Sequence, residues 1–149
     1  MSLRAIPLTV LSFILYNIIV LFSGMSGADT TADGAAAARS VLETPIFSLP
    51  MISQARWVFT WGDLILVVMM LVLFIELLKA TYTSTASLVD HGLSMLVFIA
   101  ALVEFLVVPQ ASTSVFFLVL VSLLIDVIAG FTIGIRVAKR DIGFGGGDQ

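Results

Sequence analysis

Between Thr113 and Arg136 only one side chain, Asp126, ionises, and almost all the others are aliphatic or aromatic. A helix over this run, at about 1.5 Å per residue, reaches roughly 31 Å, the thickness of a bilayer's hydrocarbon core. Water is the wrong solvent for such a segment, and similar runs recur along the chain. Hydrophobic residues make up 60% of the sequence and charged residues 11%, with a mean hydropathy of +1.16. An average soluble domain carries about 25% charged residues. The runs leave no stretch of about 50 residues for a separate soluble domain. The reading is therefore all-α: an integral membrane four-helix bundle in one transmembrane domain, with spans over residues 6–23, 63–79, 92–108 and 114–136.

The first run, behind Arg4, is longer than the roughly 7–15 residues of a signal-peptide core, so it is read as an uncleaved helix, although Ser26-Gly27-Ala28 resembles a cleavage region. Residues 24–62 turn to Gly, Ala, Thr, Asp and Pro, as expected of an outer, periplasmic loop. Within it the alanine-rich segment 35–43 predicts a short helix capped by Asp33. Pro45 and Pro50 then break the chain. Ile46, Phe47, Leu49, Met51 and Ile52 are too apolar for a free loop, and are expected to lie on the membrane surface or on a partner. Trp57 and Trp61, four residues apart, are read as sharing one helix face and anchoring the headgroup level. Arg4, Lys79, Arg136, Lys139 and Arg140 fall on one side of four spans, against Arg39 and Arg56 on the other. The positive-inside rule then predicts both termini in the cytoplasm, as in a multi-pass protein of a bacterial inner membrane. The Gly-rich tail, 141–149, is expected to be flexible.

Three carboxylates fall inside the predicted spans, and each must be accounted for because a charge in hydrocarbon costs a few kcal/mol or more. Glu76 is expected to pair with Lys79 three residues on and to snorkel to the interface. Glu104, five residues before Pro109, is placed to reach headgroups or a neighbouring helix end. Asp126 lies about 15 Å from Arg136, in the middle of the core. It belongs to a stripe, Ser122, Asp126, Gly130 and Gly134, recurring every four residues on one helix face; Gly130 and Gly134 form a small-xxx-small motif suited to close packing. Tyr16 and Asn17, roughly 18–20 Å along the first span, bracket the depth of Asp126. The first span is therefore expected to pack on this stripe, with Asp126 protonated or hydrogen-bonded there. Taken together, Glu104, Asp126 and Glu76 also read as a ladder of acids at outer, middle and inner depths.

A net charge of −3 and a pI near 4.8 argue against nucleic acid as a partner. The absence of cysteine excludes disulfides, thiolate catalysis and iron–sulfur ligation. Ser87-x-x-Asp90 reads as a capping box, which leaves His91 as an interfacial side chain with too few companions for a metal site. A Ser94, His91, Asp90 triad would be crowded into one helical turn, where nucleophile, base and orienter cannot assume their geometry. No catalytic residue, cofactor or metal is therefore expected, and the chain is read as no enzyme. The general look, four short spans with an Ala-rich loop and a Gly-rich tail, resembles small bacterial inner-membrane proteins. The function expected is that of a non-catalytic accessory or structural subunit, or an assembly factor. Its partners would be the lipid bilayer and other membrane subunits or further copies of itself. The alternative is an oligomeric proton or ion conductor using the buried carboxylates.

Overall fold

The structure, a computed structural model, describes residues 7–24, 34–81 and 85–143. Among these are five α-helices and one β-hairpin, in the order α1 (Val10–Gly24), α2 (Gly34–Leu42), β1 (Pro45–Pro50), β2 (Arg56–Thr60), α3 (Trp61–Ala80), α4 (Thr85–Val107) and α5 (Ser114–Gly143). Three of the helices are long and apolar enough to cross a bilayer: Trp61–Ala80, the Asp90–Val107 part of α4, and Ser114–Arg136 of α5. The apolar part of α1, Val10–Val20, is shorter than these. The whole of α1, 15 residues, rises about 22 Å.

Local signals set the helix ends. Thr60 caps α3: its hydroxyl accepts from Asp63 N at 3.2 Å, and the Asp63 carboxylate accepts from Thr60 N at 2.9 Å, a reciprocal capping box. Ser87 and Asp90, expected as a capping box, both lie within α4, which begins at Thr85, so Ser87 does not stand at the helix's N-cap position. Pro109 ends α4 two residues earlier, since the residue before a proline is driven to extended backbone; Val108 has φ −98° and ψ 115°. A 3₁₀ turn, Pro109–Ala111, then reverses the chain, and Thr113 Oγ1 accepts from Phe116 N at 3.2 Å in the first turn of α5. Helix α5 runs through Gly143, so the expected flexible tail is helical over 141–143; residues 144–149 lie outside the described residues.

α5 is packed along both α3 and α4, and α1 lies against α3 and α2. The shared core holds Tyr16, Ile65, Met69, Ala101, Phe116, Val119 and Leu123, all almost wholly buried. Phe116 is its centre, meeting Tyr16 edge-on at 4.7 Å between ring centroids and lying parallel to Phe105 at 6.2 Å. Such edge and offset contacts favour the ring quadrupoles. The expected short helix of the loop is α2, although its expected cap, Asp33, lies outside the described residues. α2 covers one end of the bundle, burying Ala35, Ala38 and Leu42, and Arg39 donates to the Ser112 carbonyl at 3.4 Å.

The segment after α2 departs from the all-helical expectation. β1 and β2 pair antiparallel, with Phe47 opposite Phe59, Ser48 opposite Val58 and Leu49 opposite Trp57, and the register shifts at Ile46. Trp57 therefore sits in a strand and Trp61 in the first turn of α3, so the two indoles do not share a helix face. The loop is closed by Gln54 N donating to Met51 O at 2.9 Å and Met51 N to Ala55 O at 2.8 Å, with Gln54 at φ 66°. That is a tight turn followed by one left-handed residue, a common three-residue hairpin connection. The prolines stand at the two ends of β1, where a missing N–H is tolerated.

Candidate functional site

The polar side chains buried in the bundle separate into two groups, one at each end. The larger group gathers where the chain enters α1, α3 ends and α4 begins, here the near end. Lys79 Nζ lies 2.8 Å from Glu76 Oε1 and 2.9 Å from Asp90 Oδ2, so one ammonium bridges carboxylates of two helices. The other oxygen of Glu76 accepts the Leu8 N–H at 2.9 Å. Leu8 and Thr9 form the turn that leads into α1, and the first N–H groups of a helix have no partner within it. A carboxylate placed there supplies an acceptor and the favourable charge at once. One residue on, the Thr9 hydroxyl donates to Asp126 Oδ2 at 2.9 Å, reaching α5. Consecutive residues ahead of α1 thus bind the acids of α3 and α5.

Glu76, Asp90, His91, Ser94 and Asp126 are all within 2% of complete burial, as is Thr9, whereas the Lys79 side chain keeps 22% exposure. The His91 ring lies across Gly130. A Cβ there would sit 2.6 Å from His91 Cε1 and closer still to Nδ1, so only glycine fits beneath the imidazole. His91 and Phe131 also meet, with ring centroids 6.0 Å apart.

The smaller group lies at the far end. Tyr16 Oη donates to the Gln110 carbonyl at 2.8 Å and stands 2.8 Å from Thr113 Oγ1. Asn17 Nδ2 donates to Glu104 at 3.3 Å and to its own helix at Phe13 O. Ten residues of α4, about 15 Å of rise, separate Ser94 from Glu104. Met69, Ala101, Val119, Leu120 and Leu123, all buried, belong to the core packed across that interval.

The arrangement revises several sequence expectations. Asp126 does take a hydroxyl from the amino-terminal segment, but from Thr9; Tyr16 and Asn17 serve the far end. Glu76 pairs with Lys79 as expected, yet it is buried at 1% and does not snorkel. His91 and Asp90 are buried inside the bundle. Glu76 and Asp126 occupy one level, so the ladder of three depths reduces to two. Of the small-residue stripe, Gly130 meets α4 through His91, Gly134 is exposed, and half-buried Ser122 donates to the Leu118 carbonyl of its own helix at 2.9 Å. From the sequence, Asp90 is read only as a cap and, with Ser94, as a member of a rejected triad, and Thr9 is not singled out. Asp90 and Ser94 fall on one helix face at i,i+4, which was a usable signal; nothing local marks Thr9.

Among the described residues no three His, Asp or Glu side chains are placed to hold a metal ion. No family model, curated protein or solved structure matches this chain.

Proposed function

We propose that the chain is a non-catalytic subunit of a membrane assembly, a four-helix bundle with α1 as its fourth span and both termini on the cytoplasmic side of a bacterial inner membrane. The near end is then cytoplasmic and the far end, with α2 and the hairpin, periplasmic. The observation that carries this reading is how the buried polar groups are used: Lys79 holds Glu76 and Asp90, and Thr9 holds Asp126. They bind segments of this chain to one another, as a latch does, and an apolar layer stands between them and Glu104. The broad apolar exteriors of α3, α4 and α5 are left for lipid and for neighbouring helices, which associate in hydrocarbon by close packing. The test is chemical crosslinking in native membranes followed by gentle purification. A defined crosslinked partner or a discrete homo-oligomer is expected; a monomer that crosslinks to nothing overturns the proposal.

A second reading, proton or ion conduction, draws on one feature of the same end of the bundle: three buried carboxylates, Glu76, Asp90 and Asp126, of which Lys79 pairs with Glu76 and Asp90. Intramembrane acids are functional candidates by default. Proteoliposomes carrying the wild type and Asp126→Asn discriminate the two. Conduction requires a flux above that of empty liposomes that Asp126→Asn reduces; the subunit reading expects neither.

A further inference from the structure

The β1–β2 hairpin packs chiefly within itself and against the start of α3, and every residue of β1 is exposed. An isolated two-stranded hairpin is marginally stable in water, so this one needs a surface to lie on. Its register makes the two faces chemically different. Phe47, Leu49, Trp57 and Phe59 project on one side, since Phe47 pairs with Phe59 and Leu49 with Trp57. The rings touch: Phe47 stacks on Phe59 at 4.9 Å, and Trp57 meets Phe47 and Phe59 edge-on at 6.1 and 5.8 Å. The opposite side carries Ser48, Val58 and Arg56, with the guanidinium donating to Ser48 Oγ at 3.2 Å. Arg56 is the only charged residue from Pro45 to Thr60. Trp57 nevertheless remains 48% exposed, and Ile52 at the tip is fully exposed.

We infer that the aromatic face of this hairpin binds lipid, lying in the outer headgroup layer beside the point where α3 enters the bilayer. The inference rests on the membrane placement of α3 given above. Two observations select lipid over a protein socket. First, no spacer separates hairpin from span: Thr60 is both the last residue of β2 and the cap of α3, so the plate is held within a strand's length, about 17 Å, of the helix end. Secondly, the plate has an interfacial chemistry, with aromatic rings including an indole on one face and a lone cation on the other. Indoles concentrate at headgroup depth, and a guanidinium there has phosphates to bind.

The two tryptophans allow a direct test on the full-length protein in phosphatidylcholine vesicles. Trp61→Phe leaves Trp57 as the only indole, and Trp57→Phe leaves Trp61. Fluorescence is quenched with lipids bearing a nitroxide near the headgroup or at the chain end, and with aqueous acrylamide. Trp57 is expected to emit blue-shifted light and to be quenched at least about twofold more by the shallow nitroxide than by the deep one. Trp61 is the control for the span: if neither indole responds to lipid quenchers, the membrane placement of α3 fails. If Trp61 responds and Trp57 is open to acrylamide alone, the hairpin stands in water and the inference fails by itself. Shielding of Trp57 from both acrylamide and lipid quenchers means that protein covers the plate, which also overturns it.

Discussion

Gly130 and His91 give the sharpest case of one residue fixing another. A methyl group at Gly130 would lie within 3.0 Å of the His91 ring, and that ring is buried beside Phe131. Gly130→Ala is expected to destabilise the bundle by about 1–3 kcal/mol, as overpacking of cores does. Gly134→Ala, whose Cβ would come no nearer than 4.0 Å to His91, is expected to have little effect. Thermal unfolding in mild detergent compares the two, and adding His91→Ala to Gly130→Ala should recover much of the loss; equal effects at both glycines would refute the packing. Lys79 makes the complementary case in charge. Replacing it with Met leaves Glu76 and Asp90 buried without their cation. Loss of one partner from a buried ion pair costs roughly 3–5 kcal/mol, and the partial exposure of Lys79 puts this site at the lower end. The same unfolding assay reads that loss, and restoration by Lys79→Arg would tie it to charge; a Met variant as stable as the wild type would show the bridge to be idle.

At the scale of elements, the junction of hairpin and helix depends on Thr60. Its capping box satisfies a first-turn N–H, that of Asp63, which would otherwise have no partner within the helix. Thr60→Ala is expected to cost about 1 kcal/mol of local stability. The loss should appear as faster hydrogen exchange at Gly62 and Asp63, with the interior of α3 unaffected. Uniform acceleration along α3 would mean that the cap governs the whole helix. Thr60-x-x-Asp63 was readable in the sequence by the same pattern that drew attention to Ser87-x-x-Asp90. Only the surroundings separate them: Thr60 follows a strand, whereas Ser87 continues a helix already begun. The hairpin was obscured by its prolines and by the i,i+4 spacing of two tryptophans. Alternation of Phe47, Leu49 and of Trp57, Phe59 carried the better signal, but runs this short do not distinguish strand from interfacial helix by period alone.

For the whole molecule, the decisive geometry is that α1 runs from one end of the bundle to the other. Leu8 and Thr9 touch the near end of α3 and α5, and Tyr16 and Asn17 touch the far end of α4 and the turn before α5. α1 is thus antiparallel to α3 and predicts the amino and carboxyl ends on one side of the membrane. The cysteine-free sequence makes this testable with single introduced cysteines. In intact cells an impermeant maleimide should label Ser53→Cys in the hairpin, but Ser2→Cys and Asp148→Cys only after permeabilisation. Labelling of the two ends from opposite faces would exclude α1 as a span and with it the fourfold arrangement.

The sequence by itself determined which stretches seek hydrocarbon, that Pro109 forces a return, and that Glu76 meets Lys79, because hydropathy, proline sterics and helical spacing act over neighbouring residues. Tertiary structure alone decided which acid meets which donor. Depth along separate helices cannot be counted from flanking charges when α5 continues to Gly143 and α1 starts only after a turn at Leu8 and Thr9. A few residues of offset at each helix end shift the meeting point by several ångströms, more than a hydrogen bond tolerates. That is why Asp126 is bound by Thr9, one end of the bundle away from Tyr16's own partners.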